Sequence, residues 1–355
     1  MKSTRISIIG HYGANSELTD GQTVKIRSLV SALRTFYPNI KVCIVDTYYL
    51  INNKKMLFCW QLLCAIITSS HIIFFPAARG RKYMFCFFYY VSKIFKVKCF
   101  HSCIAGSLDV EIIKNKSWIK YLNGFEFNLM ESPEQVEKLK SMGIANAEFL
   151  PNFKNLTEVV LTDKSDANTS FQVFNFCIFS RILAMKGVED AVDAVKYIRC
   201  NKGVDARLDI YGPIEPGEEV WFESLCLQYS DFVSYKGVVH YDKSVEVLKD
   251  YFALLFPTRY HTEGMPGTII DAMYAGVPVI ARRWAWCDNM VTNGYNGISY
   301  DFDHPEYLQD VLEQIIDNPK IITDMKANCL NKAKEYSPEL IIAKIVKKMG
   351  LEYSV

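Results

Sequence analysis

Four residues in the second half of the chain have the side chains of phosphate and sugar chemistry at useful spacings. The apolar strand FNFCIFS runs into Arg181, and Lys186 follows five residues later, just ahead of a helix. Two cations at one strand end suit a diphosphate leaving group. As a glycosyl–phosphate bond breaks, negative charge gathers on the phosphate oxygens, and fixed cations lower that barrier more than they help the ground state. Arginine can hold two oxygens at once, whereas lysine acts as a point charge. In PTRYHTEGMPGTIIDAMYAGVPVIA a strand ends at Pro257, a loop carries Glu263 and Gly264, and Pro266 is placed to open a helix. Free N–H groups at Gly267 and Thr268, with the positive end of the helix dipole, suit a phosphate. Glu263 before the helix and Asp271 within it can address sugar hydroxyls at two depths. Each feature also has a plainer reading: solvated loop cations, a surface acid, and an acid that complements the helix dipole.

These residues need a scaffold that brings loops together, and the pattern of elements supplies one. RISIIG, a glycine-bearing loop, a helix with Val24, Ile26, Leu29, Val30 and Leu33, then KVCIVD make a βαβ unit. The alternation continues through HIIFF and VKCFHSCIA. After the polar, turn-rich stretch near 155–170 it resumes with FNFCIFS, ARLDIYG, FVSYKG, ALLFP and VPVIA, each followed or preceded by a helical pattern. The expectation is an α/β protein of two doubly wound, Rossmann-like domains facing across a cleft. Residues 1–165 form the first domain and 166–335 the second. Residues 336–355 form a basic amphipathic helix, open to packing across the junction or touching membrane. In such sheets ligands bind at the carboxyl ends of the strands.

Taken together, these residues resemble glycosyltransferase family 4, retaining enzymes with the two-Rossmann GT-B fold, and in particular a branch found in bacterial polysaccharide assembly. The strongest match is the family's E-x7-E, here Glu263 to Asp271, supported by SRILAMKG and by LPNF at 150–153. The resemblance makes residues 1–165 the acceptor-side domain and 166–335 the nucleotide-sugar domain. It implies that Glu263 contacts the transferred sugar, Asp271 the ribose hydroxyls, and Arg181 with Lys186 the diphosphate. The donor site it implies also includes Gly264, Met265, Pro266, Gly267 and Thr268, with Gly21 in TDGQT where backbone approaches donor phosphates and acceptor. His101, ending a strand, matches the histidine beside the transferred sugar; a packed structural histidine is the alternative. The second acid is Asp, one methylene shorter than Glu. The implied function is transfer of a sugar, of hexosyl type, from a nucleoside-diphosphate sugar to a hydroxyl of a glycan or lipid-linked acceptor. Front-face attack is implied, with the leaving phosphate helping to take the acceptor proton. No cofactor or metal is implied. The D-x-D at Asp301 and Asp303 precedes Pro305 and a helix, so Asp303 reads as a helix cap. A GT-B sugar-nucleotide epimerase and a non-catalytic nucleotide-sugar or polysaccharide-binding subunit are the alternatives. A nicotinamide oxidoreductase is a weaker one, because the first loop lacks G-x-G-x-x-G and only Asp46 ends the second strand suitably.

Composition bounds the remaining choices. The 355 residues are 50% hydrophobic and 22% charged, a core-forming balance, and 40 basic against 39 acidic residues leave a net charge of +1. Bulk electrostatics therefore point to no nucleic-acid partner. Eleven cysteines without a C-x-x-C pair, and a start without a long apolar core, suggest reduced thiols and a cytoplasmic protein. The uncharged stretch 56–78 is long enough to span a bilayer, yet Gln61, the polar run Thr68 to His71 and Pro76 divide it into a helix, a turn and a strand. Next to it, residues 79–98 interleave Lys and Arg with aromatics. That pattern suits a helix lying on an anionic membrane at the inner face of the cell membrane, or a core-facing helix with a solvated basic edge.

Overall fold

The computed structural model describes residues 4–14, 21–103, 108–159 and 173–351. The chain divides into two compact units, residues 1–155 with 336–355, and residues 156–335. The expected boundary at 165/166 lies outside the described residues.

In the first unit the order is β1 (Arg5–Gly10), α1 (Gly21–Phe36), β2 (Lys41–Asp46), α2 (Tyr48–Ile51), α3 (Lys55–Thr68), β3 (His71–Phe74), α4 (Ala78–Phe95) and β4 (Lys98–Ser102). It continues with α5 (Leu108–Lys114), α6 (Trp118–Leu122), β5 (Phe127–Met130), α7 (Pro133–Ser141) and β6 (Ala147–Phe149). The six parallel strands lie in the order β2-β1-β3-β4-β5-β6. The uncharged stretch at 56–78 becomes α3, a serine turn and β3. Gln61 has a local role, its Oε1 accepting the Asp46 N–H at 3.4 Å.

In the second unit the strands are β7 (Val173–Phe179), β8 (Asp205–Tyr211), β9 (Val233–Gly237), β10 (Ala253–Phe256), β11 (Val279–Arg282) and β12 (Gly297–Tyr300). The helices are α8 (Val188–Lys202), α9 (Glu219–Gln228), α10 (Ser244–Leu248), α11 (Gly267–Tyr274), α12 (Tyr307–Asp317) and α13 (Lys320–Ala333). The order β12-β11-β10-β7-β8-β9 is again parallel and places the reversal of strand order between β7 and β10. Helix α8 shows why these segments fold as they do. Val188, Ala191, Val192, Ala194, Val195 and Ile198 form one buried stripe, Glu189 and Asp190 sit in the first turn, and Gly203 ends the helix in the left-handed conformation.

The final helix, α14 (Pro338–Lys348), belongs to the first unit. Ser337 caps it by accepting the Leu340 N–H, and Ile341, Ile342, Ile345 and Val346 are buried with Ile26, Leu29 and Leu33 of α1. Each such side chain contributes about 2 kcal/mol of burial. Its apolar face is therefore used in the core and is not available to a membrane.

Candidate functional site

The reversal between β7 and β10 is where a doubly wound sheet opens a crevice at its carboxyl edge. The turn after β7 carries Ala184–Lys186 as a short 3-10 helix, and Gly187 follows with φ +72°. This turn lies against the loop after β10: the Arg259 N–H donates to the Met185 carbonyl at 2.9 Å. A side chain at 187 would put its Cβ 1.9 Å from the Pro257 carbonyl oxygen, so only glycine allows this approach.

The packed loops bring Lys186 and Glu263 together, with Nζ 2.6 Å from Oε2. Thr258, buried beneath them, donates its hydroxyl to the same Oε2 at 3.0 Å. Among the described residues, Glu263 Oε1 has no partner, so one carboxylate oxygen is held and the other is open to a ligand. The Lys186 ammonium also lies 5.4 Å from the Tyr260 ring centre and 5.8 Å from that of Phe256, which stabilise its charge from the side. Behind the site, Asp190 accepts from Arg259 at 2.6 Å and Arg282 at 3.3 Å, which ties α8 to the loop after β10 and to the end of β11.

Beyond Gly264 and the buried Met265, Pro266 is the N-cap of α11 and Gly267 its first residue. Thr268 Oγ1 is buried without a hydrogen-bond partner. An orphaned hydroxyl costs about 1–3 kcal/mol, which a ligand at this helix start would recover. Asp271, one turn on, is 1% exposed. Arg181 does not join Lys186 and Glu263: it is exposed and pairs with Glu215 at 3.0 Å.

Two expected residues belong to the first unit. Gly21 is the first residue of α1, exposed, with open space where a Cβ would point. His101, in β4, is fully buried among Phe74 and Phe85, and burial holds its imidazole down at about 3, so it is neutral. Asn128 spends both amide hydrogens on the Leu122 carbonyl and Asn146, each at 2.9 Å, so its Oδ1 accepts from His101 Nδ1 at 3.1 Å. That fixes the tautomer with a bare lone pair on Nε2, which has no partner. His101 is thus held through Nδ1 and keeps one unsatisfied acceptor at Nε2.

Asp46 is not a ribose ligand of the dinucleotide-binding kind. Its carboxylate accepts the N–H groups of Tyr12, Gly13, Ala14 and Tyr48 at 2.9–3.2 Å, so it is consumed in shaping the loop after β1. Asp303 does not cap a helix: Glu306 occupies the N-cap of α12, and the Asp303 N–H donates to Asp301 Oδ1 at 2.8 Å in a local turn. Proline at 305 starts a turn before the helix, which shifts the cap by three residues. Sequence reasoning missed Thr258, whose role comes from a distance no spacing reveals. It also missed the buried pair Lys25–Glu131, 2.5 Å apart at the carboxyl edge of the first sheet. A Glu directly after the apolar run FNLM was the available signal.

Comparison with known proteins bears on this geometry. Anabaena HepE, solved in complex with UDP and glucose, superposes with a TM-score of 0.73 over 98% of this chain and 99% of its own, at 14% identity. Sucrose-phosphate synthase from Thermosynechococcus elongatus gives 0.75 over 98% and 99%, at 15% identity. The fold is GT-B. Residues 165–336 match the family model described as glycosyl transferases group 1, and every second-unit site residue above falls inside that match. The uncharacterized glycosyltransferase MJ1069 of Methanocaldococcus jannaschii is 22% identical over 225 residues, 63% of this chain and 52% of the relative. A second, MJ1178 of the same organism, is 23% identical over 49% of this chain and 47% of its own length. The chain spans about half the length of these curated relatives.

Proposed function

We propose that this GT-B protein is a metal-independent retaining glycosyltransferase that moves a hexosyl group from a nucleoside-diphosphate sugar to a hydroxyl of a glycan or lipid-linked acceptor in surface-polysaccharide assembly. The observation that carries it is the meeting of Lys186 and Glu263 at the strand-order reversal, beside the start of α11 with its unsatisfied Thr268 hydroxyl. The donor's diphosphate takes the Lys186 ammonium, the α11 N–H groups and the Thr268 hydroxyl. Glu263, still held by Thr258, turns Oε1 to the sugar hydroxyls. Arg181 leaves Glu215 for the phosphate oxygens, and Asp271 approaches the ribose.

Charge grows on the leaving phosphate in the transition state, and fixed cations and helix N–H groups offset it there. With that charge answered by side chains and a helix end, the reaction needs no metal. The phosphate oxygen nearest the departing sugar takes the acceptor's proton as the new glycosidic bond forms on the same face. UDP is the first nucleoside diphosphate to test, because HepE was solved with UDP.

The test is a thermal-shift screen of nucleoside diphosphates, then release of the diphosphate from its sugars with acceptor present. Bound nucleotide raises the melting temperature by mass action. NMR of the product should show the anomeric configuration of the donor. Absence of both a shift and diphosphate release across the donor panel would sink the reading; an interconverted sugar nucleotide without transfer would identify an epimerase instead.

A further inference from the structure

Helices α3 and α4 cover the same face of the first sheet and lie side by side, and both are apolar on the side that faces away from it. Their inward residues, Ala65 and Ile66 of α3 and Phe85, Phe88 and Val91 of α4, fill the core as amphipathic helices should. On α3 the outward stripe is Met56, Trp60, Leu63 and Ile67, at 89%, 65%, 48% and 62% exposed, with the spacing of one helical face. On α4 it is Tyr83, Phe87, Tyr90 and Ile94, at 72%, 42%, 50% and 70%. A water-facing helix carries charge on that side. These two place eight large apolar side chains on one surface, and such patches mark interaction sites.

The charges around the patch say what it meets. From residue 47 to 108 the sequence has no Asp or Glu, yet it carries Lys54, Lys55, Arg79, Arg81, Lys82, Lys93, Lys96 and Lys98. All but Arg81 are exposed. They stand at both ends of the two stripes: Lys54, Lys55, Arg79 and Lys82 at the α3 and α4 starts, Lys93, Lys96 and Lys98 at the α4 end. An apolar band closed by cations at both ends, with tyrosine and tryptophan on it, matches a bilayer interface with anionic headgroups. No described helix is long and apolar enough to cross a membrane.

We propose that the α3–α4 face is a docking surface for an anionic lipid bilayer, with Trp60, Ile67, Phe87 and Ile94 inserted at the acyl boundary and the lysines on the headgroups. Both helices run antiparallel to the strands, so docking lays the sheet along the membrane. The carboxyl edge, near Lys55 and Arg79, is then within reach of the headgroup layer, where a lipid-linked sugar presents its hydroxyl. The docking holds whether or not the chain transfers sugar.

The experiment is co-sedimentation of the full chain with vesicles of phosphatidylcholine alone and with added phosphatidylglycerol, at low and high salt. Quenching of tryptophan emission by brominated phosphatidylcholine is read in parallel. Binding should require phosphatidylglycerol, weaken with salt, and quench through Trp60. The double variant Trp60→Glu and Ile94→Glu, in exposed positions, should keep its melting temperature and nucleotide binding and lose about tenfold or more in vesicle affinity. Equal recovery in every supernatant overturns the proposal. So does vesicle binding that the double variant leaves unchanged, or a solution dimer that the variant dissociates, which would make a second copy the occupant.

Discussion

The α-carbon of Gly187 lies directly against the Pro257 carbonyl, and this approach sets the turn that carries Lys186 beside the loop that carries Glu263. Alanine at 187 would meet that oxygen at 1.9 Å and would also hold φ +72°, which non-glycine residues avoid. Gly187→Ala should therefore cost about 3 kcal/mol or more, with a drop of about 2–4 °C in melting temperature for each kcal/mol. Differential scanning calorimetry measures it; an unchanged transition would contradict the close approach.

Lys186→Ala should lower kcat by about a hundredfold with the fold intact, because the charge it removes acts mainly in the transition state. Arg181→Ala should do the same. Glu215→Ala frees Arg181 from its ground-state partner and should leave kcat within about twofold. Steady-state rates with a fixed donor decide. Full activity in Lys186→Ala would remove the phosphate assignment.

His101 predicts an acid-side loss of stability. Burial holds its pKa at about 3, whereas in the unfolded chain the imidazole takes up a proton near 6.5. Between those values the unfolded state binds a proton that the folded state refuses. Stability is thus complete above 6.5 and falls on acidification by about 1.4 kcal/mol per pH unit for one such group. His71, also pushed down by burial, adds to the slope. His101→Gln should make the decline of unfolding free energy between pH 6 and 4 shallower by about one proton, read from urea titrations. An unaltered slope would mean His101 is solvated in the folded chain.

On the proposed mechanism, chelator should leave sugar transfer intact, because charge on the departing phosphate would be met by Lys186, Arg181 and the start of α11. Among the described residues no group of three or more His, Cys, Asp or Glu is placed to hold a metal. Rates after dialysis against EDTA, with and without added magnesium, test this. A loss restored by magnesium would overturn it.

The strands that carry the site were legible because their signals are local. RISIIG, KVCIVD, ALLFP and VPVIA are apolar runs bounded by turn residues, and all became strands with ends within two residues. Strands β5, β6 and β12 and helices α5, α6, α7 and α13 were not read. GISY is four residues between turns, and α13 has few apolar positions to set against its lysines and asparagines. At the site, spacing put Lys186 and Glu263 on loops at strand ends, but their 2.6 Å approach depends on which strands are neighbours. That is a property of sheet order, which a single sequence does not display. Arg181 shows the converse, since its partner Glu215 comes from the loop after β8.

The return of α14 to the first unit has a consequence for how the chain is made. Ile341, Ile342, Ile345 and Val346 complete a core begun by α1, yet about 180 residues of the second unit emerge from the ribosome between them. The second unit is continuous and can close as it is synthesised. The first unit is discontinuous: α1 can pack on the early strands through Ile6, Ile8, Ile73 and Phe75, but the part of its core that α14 fills stays open until translation reaches residue 346. The last layer of the first unit's core is therefore supplied after the whole of the second unit has been made.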